Sequence, residues 1–134
     1  MAKPPPSTTP LQQAKSYGIV NIRRHILLCA GPDCVDSQKG DEAWNYLKKR
    51  IAELALDRAP TCLYRTRCQC LRVCTNGPIA VVYPDGTWYR SADPPVLERI
   101  LQEHILQGRP VKEYIFVEQP LAPVPTAPQS KIEN

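Results

Sequence analysis

Long apolar runs are missing from this sequence, and so are most of the motifs by which enzymes are read. No stretch approaches the roughly 18 consecutive apolar residues that a membrane span requires. The opening Met1-Ala2-Lys3-Pro4-Pro5-Pro6 also has none of the apolar core of a secretory signal. The expectation is a soluble, cytoplasmic protein without membrane insertion. There is no Gly-rich phosphate loop, no His-Glu-x-x-His and no Ser/His/Asp arrangement, so a carrier or a subunit is expected rather than an enzyme. Cys-x-x-Cys is absent as well, which removes the usual pair of a thiol oxidoreductase. Charge bias is small: 17 basic and 13 acidic residues leave a net charge of +4. Because the lysines and arginines are spread along the chain, no nucleic-acid partner is expected.

Cysteine and proline are what the chain does have. Its 134 residues include six cysteines and 15 prolines. In a reducing compartment six cysteines point to metal binding or redox chemistry rather than to a disulfide framework. The prolines mark the ends. Pro4, Pro5, Pro6 and Pro10 lie near the N-terminus, and Pro120, Pro123, Pro125 and Pro128 near the C-terminus, among Ser, Thr, Gln and Ala. Residues 1–20 and 118–134 therefore read as flexible, solubilising tails, with one domain over residues 21–117 between them.

Within that domain the pattern alternates strand and helix. His25–Cys29 is a short apolar run closed by the Gly31-Pro32 turn signal, which fits a buried strand ending at Cys29. From Asp41 onward, Trp44, Leu47, Ile51 and Leu54 recur at helical spacing and predict an amphipathic helix. Thr61–Arg67 is β-prone, Ile79–Tyr83 is a stronger strand, and Pro84-Asp85-Gly86 turns the chain into Thr87–Arg90 as a hairpin. Asp93 before Pro94 reads as a helix N-cap, with Val96, Leu97, Ile100, Leu101 and Ile105 on the apolar face up to Gly108. The expected order is β-α-β-β-β-α: an α/β sandwich in which two main helices pack on a sheet of about four strands.

The cysteines fall mostly outside these elements. Cys29 and Cys34 sit at and just past the end of the first strand, and Cys70 and Cys74 in the loop entering the hairpin. Two loops at one end of a sheet can meet, so these pairs can form one four-thiolate site. Cys68, two residues before Cys70, is an alternative donor by spacing, and Cys62 reads as a small buried apolar residue inside its strand. Both histidines read as structural. His104 lies on the apolar side of the last helix, and His25 opens the first strand away from its cysteine end. Four thiolates suit an iron–sulfur cluster or a structural zinc ion, and spacing alone admits both.

The full pattern, C-x4-C-x35-C-x3-C followed by Thr75-Asn76-Gly77-Pro78, resembles the thioredoxin-like 2Fe-2S ferredoxins and the related small iron–sulfur subunit of bacterial NADH dehydrogenase. The resemblance extends to H-I-L-L-C, A-W-N-Y-L-K, R-T-R-C-Q-C-L-R-V-C-T-N-G-P, the hairpin I-A-V-V-Y-P-D-G-T-W-Y and L-E-R-I-L-Q-E-H-I-L-Q-G-R-P-V, and covers residues 25 to about 117. The short first gap departs from stand-alone members and is closer to the NADH dehydrogenase subunit. The resemblance implies a thioredoxin-like fold and a single 2Fe-2S cluster on Cys29, Cys34, Cys70 and Cys74, with Cys70 rather than Cys68 completing C-x3-C. It also implies a one-electron carrier that serves a redox protein partner, in a family that forms homodimers. The alternatives are an accessory subunit of a larger oxidoreductase complex and a zinc-binding interaction module. An oxidised cluster with four thiolates carries a formal charge of about −2. Arg65, Arg67 and Arg72, together with the Thr75-Asn76-Gly77 amides, are the expected offsets.

Overall fold

The computed structural model describes residues 8–122. The first element among the described residues is a short helix, α1 (Pro10–Ser16), where the sequence reading expected an extended tail. Thr9 caps it: its side chain accepts the Gln12 backbone N–H while the Gln12 side chain returns to the Thr9 backbone, a reciprocal capping box. A 3-10 turn at Ile19–Asn21 then leads into the sheet across the proposed boundary at residue 20. The Pro-rich stretches 1–7 and 123–134 lie outside the described residues.

Strand β1 (Arg24–Cys29) is followed by α2 (Ser37–Glu53), β2 (Leu63–Cys68), β3 (Ile79–Tyr83) and β4 (Thr87–Tyr89). Helix α3 (Pro94–Arg99) continues as a π-helical segment over Ile100–Ile105, and β5 (Ile115–Glu118) closes the order. The sheet has five strands rather than four, in the order β2-β1-β3-β4-β5. β1 is parallel to β2 and antiparallel to β3. The additional strand, β5, pairs with β4 across an irregularity at Trp88/Tyr89. It runs one residue past the boundary expected at residue 117.

Both long helices lie on one face. Ile26, Leu28, Ala80, Val82 and Tyr89 from the sheet meet Ala43, Leu47 and Ile51 of α2 and Val96, Leu97, Ile100 and Leu101 of the last helix. Leu47 and Ile51 take the core positions their spacing predicted, whereas Trp44 sits half-buried at the flank, with the Arg65 guanidinium 5.2 Å from its ring centre. Gly40 and Ala43 occupy the inner line instead, and the reason is room: a Cβ on Gly40 would press on the backbone of Ala30. Asp36, not Asp41, starts α2, accepting the Lys39 N–H at 2.9 Å. Asp93 holds the N-cap position of α3 as expected, without a side-chain capping bond.

Sheet register decides where the cysteines go. Cys29 ends β1 opposite Cys68, which ends β2, and opposite Ile79, which opens β3. One end of the sheet therefore collects both cysteine-bearing loops. The opposite end carries Arg24, Asp85 and the hairpin turn, with the salt bridge Arg24–Asp85 at 3.1 Å.

Candidate metal centre

Two loops build the site, one between β1 and α2 and the other between β2 and β3. They interlock through two glycines. Gly31 lies so close to the Gln69 backbone, and Gly77 to the Cys34 carbonyl, that a Cβ at either position would collide with main chain. Gly77 serves as a site of close approach between the loops, with a φ that is not among the positive ones. The two loops are thus held face to face by the absence of side chains.

The thiols follow from that contact. Cys29 is fully buried at the strand end, and its Sγ lies 3.2 Å from that of Cys34. The Cys34 thiol reaches across to the second loop and donates to the Val73 carbonyl at 3.5 Å. The Cys29 thiol faces the Gln69 carbonyl at 3.6 Å. Cys70 and Cys74 are exposed, and the Cys70 sulfur accepts the Arg72 backbone N–H at 3.2 Å. Arg72 has a left-handed backbone (φ 72°), as does Asn76 (φ 57°), and these bends fold the second loop back past Cys74. The first loop thus contributes the buried Cys29 and the half-buried Cys34, and the second an exposed pair, Cys70 and Cys74. Among the described residues no three His, Cys, Asp or Glu side chains converge on a single metal-ion position.

The electrostatics are those of crowded thiols. Burial, then the hydrogen bond and charge of Cys29, then Cys74, push the Cys34 thiol up to about 12, against the opposing Ile79 backbone amide. Cys74 is raised mainly by Cys70. Burial and Cys29 push Cys68 up to about 11. Without a cation Cys34, Cys68 and Cys74 thus resist ionisation. Iron or zinc binding would reverse this by displacing the protons, because thiolates rather than thiols are the ligands.

The expected arginines divide. Arg67 stands at the rim, donating to the Ala30 carbonyl at 3.4 Å and paired with Asp41 at 2.8 Å. Arg72 acts through its backbone N–H. Arg65 is away from the site, against Trp44. The backbone N–H that meets a sulfur at hydrogen-bond distance is that of Arg72 rather than one from Thr75-Asn76-Gly77.

Cys62 corrects its reading: it precedes β2, is only partly buried, and has a left-handed φ of 47°. His104 is buried in the core as read, and His25 pairs with Thr66 Oγ1 at 2.7 Å.

An open α/β sheet thus carries four thiols, soft sulfur atoms by their chemistry, on two interlocked loops at one end. Comparison with known proteins makes the placement specific. The chain is 34% identical over 103 residues to a protein of Priestia megaterium named as a 2Fe-2S ferredoxin, covering 77% of each. It is 29% identical over 98 residues to the 2Fe-2S ferredoxin of Clostridium pasteurianum, covering 70% of this chain and 96% of that one. Its fold matches the crystal structure of the thioredoxin-like [2Fe-2S] ferredoxin of Aquifex aeolicus with a TM-score of 0.61 at 24% identity, over 72% of this chain and 99% of that chain. No family model matches the sequence. The chain belongs to the thioredoxin-like 2Fe-2S ferredoxin family.

Proposed function

We propose that this chain is a one-electron carrier that holds a single 2Fe-2S cluster on Cys29, Cys34, Cys70 and Cys74 and exchanges electrons with a redox protein partner. The observation that carries the reading is the pairing of thiols by loop, on a chain of this family. Such a cluster takes two thiolates on each of its two irons. The first loop presents Cys29 and Cys34 with sulfurs 3.2 Å apart, and the second presents Cys70 and Cys74. A structural zinc ion asks instead for four donors around one point. The donor set fits the cluster's preference for soft anionic ligands.

When bound, the cluster supplies one reversible electron transfer; the protein's residues govern where and at what cost. Gly31 and Gly77 keep the loops at contact distance, so the two pairs face each other before loading. The Arg72 amide donates to the Cys70 sulfur and lowers the cost of added negative charge. Arg67, held by Asp41 and Ala30, brings a positive charge to the rim. Cys29 is shielded from solvent, while Cys70 and Cys74 face it. A partner protein would therefore meet the chain at the loop end of the sheet, on the Cys70/Cys74 side. In this reading the electron is the cargo.

The test is loading of the Cys34→Ala and Cys74→Ala variants with iron and sulfide under anaerobic conditions. Each is expected to lose the cluster while keeping the far-UV circular dichroism of the folded chain. Retention of a full complement of iron and sulfide by either variant would remove that residue from the ligand set.

A further inference from the structure

Strand β2 forms one edge of the sheet and runs directly into the second ligand loop. Its backbone faces two ways. The Cys62 and Cys68 carbonyls accept the Arg23 and Ala30 N–H groups on the β1 side, whereas the Leu63 N–H points away from β1 and donates to the Leu56 carbonyl at 2.8 Å. By the two-residue period of a strand, Arg65 and Arg67 turn their N–H and C=O groups to the same outer side. Among the described residues no further strand pairs there. The side chains of Leu63, Arg65 and Arg67 share the helix-covered face: Leu63 enters the core, Arg65 lies on Trp44, and Arg67 pairs with Asp41. Lys48 approaches the same Trp44 ring at 5.9 Å. A cavity of about 290 Å³ lies at the start of this edge, lined by Tyr17, Ile51, Leu63 and Tyr64 with the cations Lys48 and Arg65. A second, of about 370 Å³, lies at its end beside Gly31, Ser37, Arg67 and Gln69. Asp57 also borders the first cavity, yet among the described residues neither Lys48 nor Arg65 is in an ion pair.

We propose that the β2 edge is the docking strip for an extended, acidic segment of the redox partner, which adds to the sheet as a further strand. The inference rests on the electron-carrier reading above and names the chemistry of the partner. The outward backbone groups of Arg65 and Arg67 supply the ladder bonds. An apolar side chain of the added strand fills the first cavity, against Tyr17, Ile51 and Leu63. Carboxylates at two-residue spacing from it then face Arg65 and Arg67 on the same side of the sheet, with Lys48 beside them. Charged side chains on an edge guard against pairing with like chains. A second copy of β2 would bring its own arginines against these, so the edge rejects self-pairing and admits an acidic strand. Position gives the docking its use. A strand that follows β2 to its end arrives beside Gln69 and the exposed Cys70, where the electron must pass. The other edge strand, β5, is joined to neither cysteine loop.

The probes are the fluorescein-labelled peptide Leu-Thr-Glu-Thr-Glu-Thr and its reverse sequence, which together cover both strand directions. Each is titrated into the full chain loaded with iron and sulfide, and binding is read by anisotropy. One of the two is expected to bind, more weakly as salt is raised. The double variant Lys48→Glu with Arg65→Glu should bind it about tenfold or more weakly, with iron, sulfide and far-UV circular dichroism unchanged. Hydrogen exchange read by mass spectrometry should find the amides of residues 65–67 fast in the free chain and slowed by the peptide. N-methylation of the peptide at alternate residues, made in both registers, should abolish binding in one register only. Failure of both peptides to bind would overturn the proposal. So would equal binding by both methylated registers and the parent, which would leave charge attraction without strand pairing. Slow exchange of residues 65–67 in the free chain would show the edge already covered, by this chain or a second copy, and would overturn it too. In each of these cases a full complement of iron and sulfide leaves the carrier reading intact. Peptide binding by a chain that takes up no iron and sulfide would instead keep the acidic-strand edge and overturn its assignment to a redox partner.

Discussion

Removing a single oxygen from the core, by Tyr89→Phe, should cost this fold a large part of its stability. The Tyr89 hydroxyl is buried, accepts the Val111 backbone N–H at 3.0 Å, and lies 2.8 Å from His104 Nδ1. On its other side, His104 Nε2 is 2.6 Å from Asp85 Oδ2, and Asp85 also accepts from Arg24 Nε at 3.1 Å. An ionised carboxylate only accepts, so Nε2 carries the imidazole proton, Nδ1 is the acceptor, and the tyrosine O–H donates to it. The chain of bonds Val111 → Tyr89 → His104 → Asp85 ← Arg24 thus joins β1, the hairpin turn, β4, the last helix and the segment before β5. Phenylalanine keeps the ring but strands one buried N–H and one buried nitrogen. Each unsatisfied group costs about 1–3 kcal/mol, so the expected loss for the two is about 2–6 kcal/mol. Against a typical stability of about 5–15 kcal/mol, that is readily measured. Urea unfolding of wild type and Tyr89→Phe, followed by fluorescence and circular dichroism, should show a lower midpoint at similar slope. A loss under about 0.5 kcal/mol would refute the view that these two groups depend on the hydroxyl.

The same network predicts acid lability. Burial lowers the His104 pKa from 6.5 more strongly than Asp85 raises it, so the unfolded chain takes up this proton before the folded one as pH falls. The contribution of neutral His104 is complete above pH 6.5 and declines as pH falls below it. Asp85, which burial alone would raise, is held below 3.8 by His104 and Arg24, and loses its contribution below pH 4 with the same sign. Unfolding midpoints from pH 8 to pH 4 should fall, and a His104→Gln variant should show a shallower fall between pH 7 and pH 5. At the site, Gly77→Ala should separate the loops by driving a methyl group into the Cys34 carbonyl. Reduced iron and sulfide loading with preserved far-UV circular dichroism is the expected outcome, and wild-type loading would show that the close approach is dispensable.

What could be read beforehand follows a physical divide. β1, α2 and the hairpin carry long apolar patterns with turn chemistry at their ends, and such patterns are governed by burial against one core. β5 carries only Ile115, Phe116, Val117 and Glu118, mostly exposed, and exists because β4 offers an edge to pair with. Nothing local in its sequence states that. Helix α1 was legible in principle, since Thr9-Pro10-Leu11-Gln12 is a capping box with proline at the first helical position, but the surrounding prolines dominated the composition. Cysteine spacing foretold which loops would meet. It could not foretell that Gly31 and Gly77 are the contact points, because close approach between distant backbones leaves only a glycine as its trace.

The most direct test of the electron-carrier account is a quantitative one on anaerobically purified protein. Iron, zinc and acid-labile sulfide would be measured per chain, with the electron paramagnetic resonance signal integrated after dithionite reduction. The account predicts about two irons and two sulfides per chain, little zinc, and about one unpaired spin per chain appearing on reduction. Stoichiometric zinc without sulfide, persisting in protein made with ample iron, would contradict it and leave a chain with the fold and the thiols but no electron to carry.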